Sequence, residues 1–247
     1  MLTAVEEREF VRVADLSDMF GISEVTVRSD LEALQDAGLL RRVHGGAVVT
    51  PPQPERTFEQ SQGAQADEKR RIGEAAASLV TSGETVILDV GSTTAAVARA
   101  LVGRTNVTDI VCFTNGLKTA LELEPAIPRF TVVLTGGTLR PLQHSLVDPL
   151  AGAVLDNIHA DTVFLGCNGI ELSAGVTNVN LPEAEIKRQM VKAARRRIVV
   201  ATGDKIGEIS LAPMCATEDV TTLITDTSAD PGLVTGLREA GLQVQVV

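Results

Sequence analysis

Ser17 to Val48 reads SDMFGISEVTVRSDLEALQDAGLLRRVHGGAV. Its spacing predicts two short helices, a tight turn and a glycine-tipped hairpin. Gly21 follows Phe20 and permits the sharp turn that two crossing helices require. Ser23 stands where an N-cap belongs, ready to accept a hydrogen bond from a free amide of the next helix. Val27, Leu31 and Leu34 then follow at i, i+4 and i+7, the spacing of a buried stripe. Glu24, Thr26, Arg28 and Ser29 are left facing outward at the helix N-terminus. Gly38 stops the helix, and Leu39–Val43 and Ala47–Val49 flank His44-Gly45-Gly46 as the arms of a hairpin.

This order is the layout of a winged helix-turn-helix, in which the first residues of the second helix reach base edges in the DNA major groove. Candidate DNA contacts are Ser23, Thr26, Arg28 and Ser29 on the helix and Arg41, Arg42 and His44 on the wing. Arg28 can donate two bonds to guanine or grip a phosphate. A three-helix protein-interaction module with a solvated charged face is the bland alternative. Turn, cap, stripe and basic wing in one order favour DNA. The charge balance argues the other way: the chain carries −10, and its first fifty residues hold nine acids against five arginines. Local placement decides phosphate contact, however, and the arginines of the helix and hairpin are clustered.

The remaining composition bounds the rest of the chain. At 247 residues with 44% hydrophobic content, no Trp and no Tyr, the core must be Val, Leu, Ile and Ala, a content that suits buried parallel strands. Cys112, Cys167 and Cys215 are odd in number and far apart, which argues against a disulfide framework. His144 and His159 have no matched metal ligands nearby, and neither a metal nor a cofactor is expected. No run approaches the ~18 apolar residues of a membrane span and no signal peptide is visible, so a cytoplasmic chain without membrane contact is expected.

Residues 1–49 form the first expected domain and the Pro- and Gln-rich residues 50–66 a linker. Residues 67–247 alternate helix and strand. Strands are expected at Thr85–Val90, Asp109–Thr114, Phe130–Leu134, Thr162–Gly166, Ile198–Thr202, Thr222–Thr225 and Gln243–Val247, with helices between most of them, including one over Leu181–Arg196. The basic run Lys192 to Arg197 reads as a solvated helix end. Such alternation indicates a parallel or mixed sheet covered on both faces.

Polar loops close five of these strands: Asp89 with Gly91-Ser92-Thr93-Thr94, Thr114-Asn115-Gly116, Thr135-Gly136-Gly137-Thr138 with Arg140, Gly166-Cys167-Asn168-Gly169, and Thr202-Gly203-Asp204-Lys205. A small-residue loop opening a helix offers amides and hydroxyls to an anion, and loops at the carboxyl ends of parallel strands converge on one crevice. With Arg140, Lys187 and Lys205 as cations, the crevice suits a small phosphorylated sugar or polyol. Glu183 and Lys187 stand i, i+4 and could equally pair on a solvated face.

The segment ADLSDMFGISEVTVRSDLEALQDAGLLRRVHGGAV resembles the helix-turn-helix signature of the DeoR family of bacterial transcription regulators. LDVGSTT, FTNGL, LTGGTLR, FLGCNGI, GVTNVNLPEAEIKR and ATGDKIG resemble the family's later motifs, so the likeness covers nearly the whole chain. It implies an α/β protein: an N-terminal winged helix-turn-helix, then a Rossmann-like α/β sensor domain similar to ribose-5-phosphate isomerase. It also implies that Glu183 and Lys187 line the sensor pocket. The effector residues expected are Asp89, Gly91, Ser92, Thr93, Thr94, Asn115, Gly136, Gly137, Arg140, Asn168, Glu183, Lys187, Asp204 and Lys205. The partners expected are operator DNA, a phosphorylated sugar or polyol, and further copies of the chain in a homodimer or homotetramer. The function implied is a DNA-binding regulator, a repressor of a carbohydrate-metabolism operon, rather than an enzyme.

The rival reading is a sugar-phosphate isomerase-like enzyme. Resembling members carry an acid where this chain has Asn168, and an amide cannot serve as a general base. Two further departures are local. Many members have two adjacent arginines where this chain has Arg28-Ser29, and the family commonly has Gly where this chain has Asp148. Met1 to Val5 resembles the middle of the family's first helix, so either the start is misassigned or that helix is short.

Overall fold

A computed structural model describes residue 4 and residues 10–36, 40–43, 46–49 and 55–247. The chain divides into two compact units, Met1–Glu55 and Arg56–Val247.

In the first unit, β1 (Phe10–Arg12) leads directly into α1 (Val13–Phe20), and α2 (Glu24–Asp36) follows a three-residue turn. Gly21 takes φ +64°, the left-handed conformation that glycine adopts without steric cost. Its amide bonds the Ser17 carbonyl. At the other end of the turn the Thr26 amide donates to Ser23 Oγ at 3.2 Å, the cap that the sequence predicts. β2 (Leu40–Val43) and β3 (Gly46–Val49) pair antiparallel with Val43 opposite Gly46. β1, absent from the sequence expectations, adds to the far side of β3, placing Val11 opposite Ala47. Both of these are buried, together with Ala4, Val13, Leu16, Val27 and Leu31, and Leu34 packs against them half-buried. His44 lies outside the described residues, and Arg41 and Arg42 are placed on β2 by their backbone.

The second unit begins earlier than the linker expectation of 50–66 has it. α3 (Phe58–Gly63) opens with a capping box between Thr57 and Gln60 and buries Phe58. α4 (Ala66–Ser78) follows at once. The composition of this stretch is loop-like, yet a buried aromatic and a capping box fix the start of the helix.

Seven strands build the main sheet, all paired parallel. They are β4 (Thr85–Leu88), β5 (Ile110–Thr114), β6 (Phe130–Leu134), β9 (Ala160–Leu165), β12 (Ala194–Val200), β14 (Thr222–Thr225) and β15 (Gln243–Val246), in the order β15-β14-β12-β9-β4-β5-β6. The chain starts with β4, beside the central strand β9, runs outward through β5 and β6, then returns to the other side of β4 and runs outward from β9. The winding therefore reverses between β4 and β9. Side chains alternate across the sheet: Val86, Leu88, Phe164 and Ile198 join one apolar cluster, Ile87, Val163, Leu165 and Val199 the other. α4 and α5 (Ser92–Gly103) cover the first face, packing so closely that a Cβ at Gly73 would lie 2.7 Å from the Ala96 carbonyl. α7 (Leu150–Leu155), α8 (Leu181–Ala193) and α9 (Pro231–Glu239) contribute to the second cluster.

Three features depart from the sequence expectations. α8 ends at Ala193 and β12 begins at Ala194, so Arg195, Arg196 and Arg197 lie on a strand and not on a solvated helix end. Arg196 pairs with Glu84 at 2.7 Å, an ion pair that ties the strand to its neighbourhood. A short hairpin, β7 (Thr138–Arg140) with β8 (Ser145–Val147), and an antiparallel three-stranded sheet, β10 (Gly169–Glu171), β11 (Gly175–Asn178) and β13 (Ala212–Cys215), are additions.

Candidate functional site

On the first unit, Glu24, Thr26, Arg28 and Ser29 of α2 are exposed, as the stripe of Val27 and Leu31 requires. Their polar groups are partly engaged. Ser23 Oγ and Thr26 Oγ1 share a hydrogen bond of 2.9 Å. Arg28 Nη2 lies 2.7 Å from Glu24 Oε2, one helical turn back. A base or phosphate reaching Arg28 must compete with that carboxylate.

On the second unit the winding reversal puts the ends of β4 and β9 side by side, where ligands of open α/β sheets bind. Asp89, fully buried, follows β4. Its Oδ2 accepts from the Gly166 amide at 3.0 Å, beyond β9, and from Lys187 Nζ at 2.5 Å. Lys187 also donates to the Gly166 carbonyl at 2.8 Å. Asp89 Oδ1 is buried with no hydrogen-bond partner among the described residues, an uncompensated acceptor that costs free energy unless something meets it. Burial pushes the Asp89 carboxyl above the usual carboxylate range, against the pull of Lys187. Burial also works against the Lys187 ammonium, but the carboxylates of Asp89 and Glu183 outweigh it and raise that group.

Asn180 caps α8 by accepting the Glu183 amide at 3.1 Å, which sets Glu183 and Lys187 on its first two turns. Neither lies on a solvated face: both are buried. Glu183 Oε1 accepts from Arg140 Nη1 at 2.8 Å and from Ser145 Oγ at 2.5 Å. The i, i+4 alternative is thus set aside, since each finds its partner on a different strand-end loop. Ser145 was missed by sequence reasoning; it sits on a short apolar strand and no local signal marks it.

The other expected residues sit on the neighbouring strand-end loops. Asn115 is buried and stitches loops together, accepting the Val90 amide at 2.9 Å and donating to the Leu146 carbonyl at 3.3 Å. Gly91 caps α5 with φ +143°, and Ser92, Thr93 and Thr94 form the first turn, Thr94 Oγ1 donating back to the Gly91 carbonyl. Gly136 and Gly137 take φ +72° and +121° beside β8; a Cβ on Gly137 would lie 2.2 Å from the Val147 carbonyl. Asn168 turns toward β11, accepting the Val179 amide at 3.1 Å. Asp204 and Lys205 pair with each other at 3.1 Å and no hydrogen bond among the described residues joins them to Asp89 or Lys187. At Cys167 the charges of Lys187 and Lys205 oppose the effect of burial. Burial pushes its thiol up to about 12.

The turn between Arg140 and Ser145 grips the start of the second unit. The Phe58 amide donates to the Leu142 carbonyl at 3.0 Å, Gln143 Nε2 to the Arg56 carbonyl at 2.5 Å, and His144 Nε2 lies 2.8 Å from Glu59 Oε1. His144 is thus a clamp on α3. A cavity of ≈ 470 Å³ lies elsewhere, on the three-stranded sheet beside Arg188, and contains none of the expected residues. Among the described residues no His, Cys, Asp and Glu cluster could hold a metal ion, and no helix is long and apolar enough to cross a membrane.

Residues 1–53 match the DeoR-like helix-turn-helix domain and residues 64–227 the DeoR C terminal sensor domain. The chain is 34% identical to the HTH-type transcriptional regulator GolR of Listeria innocua, covering 98% of this chain and 94% of that one. It is also 34% identical to a putative aga operon transcriptional repressor of Escherichia coli O157:H7, covering 100% and 91%. Among solved structures it is similar to ribose 5-phosphate isomerase A of Methanocaldococcus jannaschii, with TM-score 0.42 and 18% identity over 57% of this chain and 55% of that one.

Proposed function

The chain belongs to the DeoR family of DNA-binding transcription regulators, and from that premise we propose that it represses a carbohydrate-utilisation operon in the cytoplasm until a phosphorylated sugar or polyol binds its second unit. The name of its aga operon relative supports the sign. The observation that carries the ligand reading is the buried, unpartnered Asp89 Oδ1 at the winding reversal, beside the free amides of α5. A sugar hydroxyl answers the acceptor, and a phosphate answers the helix N-terminus and the nearby cations. Ser23, Thr26, Arg28, Ser29, Arg41, Arg42 and His44 are the DNA-contact set of this proposal, and the fourteen crevice residues named from the sequence its effector set.

Control needs a ligand that binds two states unequally, typically by ~1–3 kcal/mol. Arg140 is the natural lever. A phosphate that draws it from Glu183 disturbs one end of the turn that holds Arg56, Phe58 and Glu59, directly after the division between the units. A homodimer or homotetramer would place two reading heads about one DNA turn (~34 Å) apart. The test is a gel-shift titration of the full chain on DNA selected from random sequence, with a panel of sugar phosphates. One member should release the DNA without being turned over. Lys205→Ala should shift its dose-response to higher concentration and leave DNA affinity unchanged; an unaltered dose-response removes Lys205 from the effector set.

A further inference from the structure

The core-facing side chains of α2 are Val27 and Leu31, with Leu34 half-buried against them. At about 3.6 residues per turn, the opposite face carries Val25 and Ser29 at its centre, with Thr26 and Arg28 on its flanks. Val25 is 74% exposed, the most exposed large hydrophobic side chain among the described residues. A single exposed valine is ordinary on a protein surface. This one stands in the first turn of the helix, the part that enters the groove in such motifs. Its polar neighbours are already engaged: Thr26 with Ser23, and Arg28 with Glu24. Reading guanine with Arg28 means opening an ion pair, whereas Val25 has no partner to release. In the major groove the apolar group a base edge offers is the C5-methyl of thymine.

We infer that Val25 is a specificity-determining residue, seating the C5-methyl of one thymine in each half-site of the operator. The inference rests on α2 being the recognition helix of a DNA-binding regulator. It explains why a water-exposed valine stands among the polar Thr26, Arg28 and Ser29 at the start of this face. It also shifts the discrimination of this helix from a charged contact toward an apolar one.

The test uses the full chain and DNA selected by it from a random-sequence duplex pool. Each thymine of the selected half-site is replaced in turn by deoxyuridine, which deletes the methyl group alone. One position should cost the wild type about fourfold in affinity per half-site, the worth of one buried methyl group. Val25→Ser, which replaces the apolar surface by a hydroxyl, should lose that sensitivity, binding the thymine and uridine forms of that position equally, while other positions keep theirs. Serine and valine have similar helix propensity and the site is exposed, so folding is retained. If Val25→Ser discriminates thymine from uridine as the wild type does, or if no uridine position weakens the wild type, Val25 does not read thymine and the regulator reading stands. If the wild type selects no sequence at all, the regulator reading fails and this inference fails with it.

Discussion

The two units use charge in opposite ways. In the first, the described ion pair on the reading helix joins Arg28 to Glu24, four residues apart and about half exposed. In the second, Lys187 meets Asp89 across 98 residues of sequence and Arg140 meets Glu183 across 43, all largely buried. An exposed i, i+4 pair contributes only ~0.2–0.5 kcal/mol. It can open toward DNA without endangering the fold. A buried pair cannot open freely, because each charge left alone keeps its desolvation penalty. The exposed Arg28–Glu24 pair on α2 can therefore be exchanged cheaply, whereas the buried Lys187–Asp89 and Arg140–Glu183 pairs of the second unit resist opening unless a new partner replaces the lost one.

Removing a partner from the buried pair should break this contrast most strongly. Asp89→Ala leaves Lys187 uncompensated and should destabilise the second unit by ~3–5 kcal/mol, read as a lower urea midpoint; a loss below about 1 kcal/mol would mean that the pair is not locked. Next comes the thin core of the first unit. Leu31→Ala should cost ~2–5 kcal/mol and lower only one of two calorimetric transitions. A common shift of both would show that the units do not unfold independently. Arg28→Ala should change stability by no more than ~0.5 kcal/mol while weakening discrimination among DNA sequences, and a large stability loss would erase the distinction drawn above. The smallest effect concerns the thiols. Burial pushes Cys112 and Cys167 up to about 12, so in the native chain at neutral pH both should alkylate far more slowly than after denaturation, by mass spectrometry. Rapid native labelling of Cys112, the fully buried thiol of the two, would show that the sheet opens.

The sites differ in how far the sequence revealed them. Ser23, Gly21 and the Val27–Leu31 stripe act within one or two helical turns, so their roles follow from spacing, and the structure puts them as that spacing requires. The engagement of Arg28 by Glu24 was equally local and could have been read from i, i+4 spacing. In the second unit the residue types of the crevice were visible at the strand ends, but their pairing was not. Spacing alone leaves Glu183 and Lys187 free to pair with each other, yet Arg140, Ser145 and Asp89 hold them. The three arginines after Lys192 suggested a solvated helix end; the nearby Glu84 that makes Arg196 acceptable on a half-buried strand lies 112 residues away.

Much of what the sequence alone determined has a local cause, although α3, whose capping box is just as local, and the short hairpins went unread. The helix-turn-helix follows from cap, turn and stripe. The seven strands of the main sheet follow from short apolar runs, which a strand buried on both faces demands. Tertiary structure alone decided which loops meet. It set the winding reversal between β4 and β9, the orphaned oxygen of Asp89 there, and the grip of the Arg140–Ser145 turn on α3. The physical reason is range. Helix caps and hydrophobic periodicity act over a few residues, whereas a buried charge takes whatever partner the completed fold brings within a few ångströms.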